Sequence, residues 1–229
     1  MKIRKAVIFF IGPQGSGKTT QALLLKQSLM THTHFKVHLT ESIHYTLITR
    51  LWYRLIMALT RRKIRYRFYV DGPIQEFVEP TILRKLFPLD ILIHIYSAVL
   101  SVLKVRMLLL FHDIVIEHEG YILNQIAYIA FIHRKHISPR DVTRKLRMLF
   151  SLLPKRSVII MLHIDYEQLK SRYLKRGSHI EPPYYVEFQS FMYDEVVKCL
   201  PRHVIQINAN KNVKAVFQDV WTAVSDIIL

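Results

Sequence analysis

Gly12-Pro13-Gln14-Gly15-Ser16-Gly17-Lys18-Thr19-Thr20 is the stretch that decides the fold of this 229-residue chain. It fits the pattern GxxxxGK(S/T) at every fixed position, and the apolar run 6–11 precedes it. A helix-like stretch, residues 21–30, follows, so the motif has the strand–loop–helix context that it requires. Glycines let the backbone curl until successive N–H groups point at a chain of phosphates, and the positive end of the next helix adds to the attraction. The sequence therefore predicts a phosphate-binding loop.

The side chains of this loop have predicted roles of their own. Lys18 brings a point charge to the outer phosphates, and the Thr19 hydroxyl is a suitable ligand for magnesium. A polyphosphate with Mg²⁺ is therefore the expected ligand of the loop. The residues predicted to hold the nucleotide are Gly12, Pro13, Gln14, Gly15, Ser16, Gly17, Lys18, Thr19 and Thr20.

The composition indicates a single domain over residues 1–229. Hydrophobic residues make up 51% of the chain, which allows a large core and argues against disorder. The single cysteine, Cys199, excludes an internal disulfide and a cysteine-built zinc site. Because the first strand-like run begins at Ala6, no secretory signal is expected, and the predicted location is cytoplasmic.

The charge balance indicates anionic partners. Lysine and arginine number 33 against 17 acids, which gives a formal net charge of +16. Nucleotide phosphates are the minimum expectation, and nucleic acid or an acidic membrane surface is the wider one. The densest basic run, residues 61–67, fits either a solvated helix end or a clamp for a phosphorylated acceptor or nucleic acid.

Five apolar runs indicate buried parallel strands, at residues 6–11, 36–40, 113–117, 157–164 and 203–208. Helical patterns separate them, which predicts a three-layer α/β fold with helices on both faces of a five-stranded parallel sheet. The interval between the second and third strands is long and rich in aromatics. Residues 42–112 are therefore predicted to form a helical acceptor-side insertion over the carboxyl ends of the strands, where open α/β sheets bind ligands.

Residues 91–103 are the stretch that most resembles a membrane segment, because they carry no full charge. The stretch is shorter than the roughly 20 residues that a spanning helix needs. Lys104 and Arg106 follow it directly. A buried helix is therefore expected, and a transmembrane segment is not.

Two carboxylates follow the third predicted strand. Glu117 ends the apolar run and Glu119 lies just past it, where phosphate-loop proteins place an acid for magnesium or for the attacking group. Glu117 is the predicted magnesium partner of Thr19 and Glu119 a predicted catalytic residue, although spacing alone does not decide which of the two serves the metal. Glu41, after the second strand, fits either an acceptor hydroxyl or amine, or a helix cap.

Two arginines mark a predicted lid. Arg172 and Arg176 lie four residues apart, so both face one side of a helix whose start, Asp165 with Gln168, resembles a capping box. Residues 177–187 follow as a loop bounded by glycine and proline. Arginines on a lid stabilise charge on a phosphoryl group in transfer, which makes both candidates for catalysis. Solvated surface arginines are the alternative interpretation.

The order of these parts resembles the nucleoside monophosphate kinases, and within them the thymidylate kinases. The likeness lies in the phosphate loop through Ala22, in Glu119-Gly120-Tyr121 with Ala127-Tyr128 in place of DRY…AY, in residues 162–167 with Arg172 and Arg176-Gly177 in place of LDVDPE…R…RG, and in Asn208-Ala209 on the adenine side. The resemblance implies a P-loop NTPase fold, Mg-ATP, and a small phosphorylated acceptor, with a nucleotide expected first. Gly120 stands where the family has the arginine that grips the acceptor phosphate.

Three functions fit these observations. The first is a kinase that moves the γ-phosphoryl group of ATP to a small phosphorylated acceptor. The second is a nucleotide-regulated protein that binds RNA or an acidic membrane surface, which the net charge and Gly120 favour. The third is a kinase of a non-nucleotide acceptor, such as a sugar or lipid intermediate, with residues 91–111 as an apolar acceptor pocket. A homodimer is compatible with each of them.

Overall fold

Strands and helices alternate along the chain, as the apolar runs predict. The computed structural model describes residues 5–41, 47–60, 69–70, 76–77, 85–119, 154–178, 180–198 and 203–228, with single positions between 123 and 144. The strands are β1 (Ala6–Ile11), β2 (Val37–Thr40), β3 (Tyr69–Val70), β4 (Glu76–Phe77), β5 (Ile114–Glu117), β6 (Ser157–His163) and β7 (His203–Asn208). The helices are α1 (Lys18–His32), α2 (Leu47–Thr60), α3 (Phe87–Phe111), α4 (Tyr166–Arg176), α5 (Pro183–Lys198) and α6 (Val213–Ile228).

The main sheet has five parallel strands in the order β2-β5-β1-β6-β7. The chain leaves β1 toward one edge and later crosses to the other, so β1 lies at the point where the direction of winding changes. Ligands of open α/β sheets bind at the carboxyl ends of the strands at such a point. The register pairs Thr40 with Glu117 at these ends, so the residues that follow β2 and β5 become neighbours.

Helices cover both faces of the sheet, which confirms the predicted three-layer fold. Alternate residues of β1 point to opposite faces, and all six are buried. On one face Val7, Phe9 and Ile11 share a core with α3 and α5. On the other face Ile8 and Phe10 pack with α1 and α6. Burial on both faces explains why the strand is apolar throughout.

The described residues of the insertion between β2 and β5 form two helices and a small hairpin. Helices α2 and α3 are joined by a hydrogen bond from the Trp52 indole N–H to Asp90 Oδ1 at 2.7 Å. Strands β3 and β4 pair antiparallel, with Tyr69 opposite Phe77. The sequence prediction of a mostly helical insertion missed this hairpin, whose strands are too short for a periodic signal. The basic run 61–67 lies outside the described residues.

Helix α3 is longer than the predicted stretch 91–103, with 25 residues. Ala98, Val102 and Val105 on one side belong to the sheet core. The prediction of a buried helix is therefore confirmed for that side of α3 alone. The other side is exposed along its length. Pro88–Phe111 is long and apolar enough to cross a membrane by length and composition, and 39% of its most apolar window is buried.

Candidate active site

The loop between β1 and α1 has a backbone that only glycine accommodates well. Gly12, Gly15 and Gly17 have φ values of +143°, +86° and +102°, a region that side chains disfavour. A Cβ atom on Gly12 would lie 2.7 Å from the carbonyl oxygen of Leu162. Helix α1 begins at Lys18, so its first-turn N–H groups have no carbonyl within the helix to bind. The loop and this helix end form the anion-binding geometry that the motif predicts.

Ser16 supports the fit of a phosphate group to this loop. Its side chain is buried, with 2% of its surface exposed, and its Oγ has no hydrogen-bond partner among the described residues. A buried hydroxyl without a partner is costly, and a ligand oxygen would satisfy it. The residues present therefore fit a polyphosphate.

Lys18 lies over the loop that it is predicted to serve. Its Nζ donates to the carbonyl oxygens of Gly12 and Pro13, both at 2.8 Å. Burial lowers the pKa of Lys18 to about 8, and Arg176 acts in the same direction. Three carboxylates oppose that shift, in the order Glu181, Glu119 and Glu117. Glu181, Glu119 and Glu117 therefore lie near enough to Lys18 for their negative charges to favour its ammonium form.

The carboxyl end of β5 places its acids as predicted. Glu117 is buried, and its Oε1 accepts a hydrogen bond from the N–H of Glu119 at 3.0 Å. Glu119 is half-buried. No group of three or more histidine, cysteine or acidic side chains forms a ready metal site in the described part of the chain. Magnesium ligation by Thr19 and Glu117 stays a prediction.

His118 is a site residue that the sequence interpretation missed. Its Nδ1 lies 3.2 Å from Thr19 Oγ1, and its Nε2 lies 3.8 Å from Glu41 Oε1. Burial lowers the pKa of His118, with Glu41 opposing and Lys18 reinforcing the shift, so the neutral imidazole is favoured. The contact joins the ends of β2 and β5 to α1. The contact depends on the register of β2 and β5, which the sequence does not display, so no sequence signal could have found it.

Arg172 lies against the phosphate loop. Its Nη1 donates to the carbonyls of Gly15 and Ser16 at 3.3 and 3.0 Å, and its Nη2 donates to that of Ala209 at 2.7 Å. Burial lowers the pKa of Arg172, and Arg176 adds to the shift. Arg176 is exposed. The structure therefore binds Arg172 to backbone oxygens of the loop, whereas Arg176 lies near enough to Lys18 and Arg172 to lower the pKa of both.

The predicted lid is shorter than residues 177–187. Helix α5 begins at Pro183, so the last five residues of that range are helical. Glu181 is buried, and the Tyr166 hydroxyl donates to its carbonyl at 3.1 Å. The Tyr173 hydroxyl donates to the carbonyl of Gln14 at 2.7 Å and lies 3.1 Å from Glu181 Oε2. Tyr173 thus joins Glu181 to the phosphate loop, and Tyr166 joins Glu181 to the start of α4.

The loop after β7 closes the other side of the site. Asp165 precedes α4 but does not cap it through its side chain, which corrects the predicted capping box. The Oδ2 of Asp165 instead accepts a hydrogen bond from Asn210 Nδ2 at 2.9 Å, and the backbone N–H of Asp165 donates one to Asn210 Oδ1 at 2.9 Å. Asn210 N–H also donates to Asn208 Oδ1 at 2.9 Å. These hydrogen bonds fix the turn that contains Ala209. The carbonyl oxygen of Ala209 accepts the hydrogen bond from Arg172.

Comparison with known proteins bears on the fold. No protein-family model and no curated protein matches the chain. The structure is similar to the crystal structure of thymidylate kinase from Ehrlichia chaffeensis, with a TM-score of 0.55 and 18% sequence identity. The match covers 96% of this chain and 99% of that one. The fold is thymidylate kinase-like.

A thymidylate kinase-like fold confirms the architecture that the motifs predicted. The likeness extends over nearly the whole of both chains, so the insertion belongs to the matched region. At 18% identity the comparison establishes the fold alone. The roles of individual site residues stay predictions.

Proposed function

We propose that this protein is an ATP-dependent phosphotransferase of the nucleoside monophosphate kinase type. It moves the γ-phosphoryl group of Mg-ATP to a small phosphorylated acceptor, with a nucleotide as the first candidate. The thymidylate kinase-like fold and the glycine loop at the carboxyl end of β1 support the proposal.

The observation that carries the proposal is the group of charges at the mouth of the loop. Lys18 lies over the loop carbonyls, with Glu117, Glu119 and Glu181 acting on it and Arg176 nearby. Phosphoryl transfer needs positioned charge more than covalent chemistry. A protein that only held a nucleotide would have less need of three carboxylates beside the loop lysine.

The residues of the loop and of the predicted lid have different roles in this proposal. Lys18 neutralises the outer phosphates and Arg176 the group in transfer. Arg172 holds the loop in shape through its carbonyls, and it is predicted to contact the nucleotide from there. Glu119 orients the attacking oxygen of the acceptor. Magnesium, held by Thr19 and Glu117, would supply charge neutralisation between the phosphates.

The acceptor is proposed to bind on the side of the insertion 42–112. Gly120 stands where thymidylate kinases have an arginine, so this chain needs another cation for the acceptor phosphate. For that reason thymidylate is not assigned as the acceptor. The acceptor class proposed is a small anionic molecule that carries a phosphate group.

The test is turnover with Mg-ATP and a panel of nucleoside monophosphates, sugar phosphates and polyprenyl phosphates. ADP formation that depends on one acceptor, and that is lost in Lys18→Ala, supports the proposal. The matched control is Lys26→Ala, which removes a half-buried lysine of the same helix away from the loop.

Slow hydrolysis with no dependence on any acceptor would contradict the kinase. Salt-sensitive retention of RNA together with such hydrolysis would favour a nucleotide-regulated RNA-binding protein instead.

A further inference from the structure

Helix α3 has four polar residues on its inner side. Asp90, His94, Ser97 and Ser101 are all buried. Asp90 Oδ1 accepts a hydrogen bond from the Trp52 indole N–H of α2 and lies 3.6 Å from His94 Nε2. The Ser101 hydroxyl donates a hydrogen bond to the carbonyl of Ser97 at 3.1 Å. In a helix of a water-soluble protein the polar stripe faces solvent. Here the buried polar side chains of α3 instead find their partners within α3 and on α2.

The outer side of α3, about 37 Å long, is apolar except for the exposed Arg106. Large apolar side chains lie along it at helical spacing and are 44–69% exposed: Leu89, Leu92, Leu103, Met107 and Leu110. Side chains three, four and seven residues apart share one face of a helix. Contiguous exposed apolar surface of this extent marks an interaction site.

Helix α2 carries a second stripe of the same kind. Leu47, Leu51, Leu55 and Leu59 recur every four residues and are 49–73% exposed, whereas Trp52 and Ile56 on the other side are buried. Arg50 and Arg54 are exposed beside this stripe, three residues from Leu47 and Leu51. An exposed apolar stripe with arginines at its border is the pattern of a helix that lies in a membrane interface.

The charges of the two helices are of one sign. Asp90 is the only acid within Leu47–Thr60 and Phe87–Phe111, and it is buried. The exposed cations of the same helices are Arg50, Arg54 and Arg106, whereas the half-buried Lys104 donates to the Glu41 carbonyl at 2.7 Å. The chain as a whole carries a net charge of +16. This face is complementary to an anionic surface.

We propose that the α2–α3 face docks this protein on the surface of an anionic lipid bilayer. The leucine stripes enter the boundary between headgroups and acyl chains, and Arg50 and Arg54 meet lipid phosphates. The proposal concerns where the protein works and goes beyond its proposed catalytic function.

Two other occupants of this face fit the structure less well. A symmetric contact with a second copy would set the same cations against one another, and neither helix has an exposed acid to pair with them. Insertion of α3 across the bilayer would pull Ala98, Val102 and Val105 out of the sheet core and leave β1 uncovered. Peripheral docking keeps the core intact.

Vesicle flotation with the full chain tests the proposal. The vesicles are phosphatidylcholine alone, or equal parts phosphatidylcholine and phosphatidylglycerol. Binding to the anionic vesicles is expected, with weak binding to the neutral ones and release at high salt. Leu51→Gln and Leu55→Gln should each lower the partition coefficient about tenfold. Arg50→Gln and Arg54→Gln should each lower it about fivefold on anionic vesicles.

Matched controls lie on other faces. Met30→Gln removes an equally exposed apolar side chain from α1, and Lys155→Gln with Arg156→Gln removes two exposed cations before β6. These variants should bind vesicles like the unmodified chain, and an intact far-ultraviolet circular dichroism spectrum shows that each variant is folded. A second test variant, Leu103→Gln with Met107→Gln on α3, should reproduce the loss if the α2 variants do not fold.

Four results would overturn the proposal. The first is failure of the unmodified chain to float with anionic vesicles, and the second is equal loss in the α1 control. The third is a dimer in sedimentation velocity that the leucine variants dissociate and that does not bind vesicles, since this face would then be a self-association surface. Resistance of the vesicle-bound chain to alkaline carbonate would also overturn it in favour of a spanning helix.

Discussion

The guanidinium group of Arg172 donates a hydrogen bond to the carbonyl of Ser16 at 3.0 Å, which joins helix α4 to the phosphate loop. The same side chain reaches the Gly15 carbonyl and, through its other terminal nitrogen, the Ala209 carbonyl. Charged hydrogen bonds of this kind are stronger than neutral ones. One side chain thus fixes the phosphate loop relative to the turn after β7.

Replacing this arginine should loosen the nucleotide site. In Arg172→Ala three carbonyls lose their donor, and we expect ATP affinity to fall about tenfold or more, with turnover falling in parallel. Arg172→Lys keeps the positive charge but loses the planar guanidinium group with its several N–H donors. It should therefore retain part of the ATP affinity that Arg172→Ala loses. Calorimetric titration with ATP and steady-state kinetics measure both effects. Loss of turnover at unchanged affinity would show instead that the arginine acts on the transferring group.

Lys18 is expected to destabilise the ligand-free protein. Burial disfavours its charged form, so Lys18→Met should raise the free energy of unfolding near neutral pH by about 1–2 kcal/mol. The same change should abolish the thermal shift on adding Mg-ATP. Urea unfolding and thermal melts with and without nucleotide measure the two effects. A destabilised Lys18→Met chain would mean that the bonds to Gly12 and Pro13 outweigh desolvation.

The affinity for ATP should depend on pH through the same lysine. Phosphate binds the ammonium form, and the pKa of Lys18 in the free protein is about 8. Below that pH the lysine is already charged and affinity is constant. Above it, binding must take up a proton, so the dissociation constant should rise by up to about tenfold per pH unit.

Titrations in two buffers of different ionisation enthalpy would detect that proton uptake. Lys18→Met should remove it, which separates this lysine from Glu181, Glu119, Glu117 and Arg176, the charged groups that act on it. A flat profile above pH 8 in the unmodified chain would contradict the assignment.

Local patterns predicted the sheet well and the site only in part. The second predicted strand, 36–40, differs from β2 by one residue, because an apolar run between helices is a local signal. The contact of Arg172 with Ser16 joins residues 156 positions apart, and that of His118 with Thr19 joins residues 99 apart. Such contacts depend on strand order, which periodicity does not encode. The hairpin β3–β4 was missed because two-residue strands have no period.

The bond between Trp52 and Asp90 should hold the insertion helices together. Trp52→Phe keeps an aromatic ring but removes the donor to a buried carboxylate, which should cost about 1–3 kcal/mol of unfolding free energy. Trp221→Phe is the control, because that ring packs on Phe217 and His32. Urea unfolding compares them. Equal losses in the two variants would indicate packing alone.

Gly12 and Gly177 offer a matched test of the loop geometry. Both have positive φ, at +143° and +63°. A methyl group on Gly12 would meet the Leu162 carbonyl at 2.7 Å, whereas no atom lies within 4 Å of one on Gly177. Gly177→Ala should therefore cost about 1–2 kcal/mol, the strain of a left-handed residue. Gly12→Ala adds displacement of β6 and should cost about 3 kcal/mol or more.

The two glycine variants should differ more sharply in nucleotide binding than in stability. Displacing the Gly12 backbone moves the amides that face the phosphates, so Gly12→Ala should show no thermal shift with Mg-ATP even at temperatures where it is folded. Gly177→Ala leaves those amides in place and should retain the shift. If Gly12→Ala bound ATP as tightly as Gly177→Ala, the phosphates would have to lie somewhere other than in this loop, because its backbone cannot keep its shape with a side chain at residue 12.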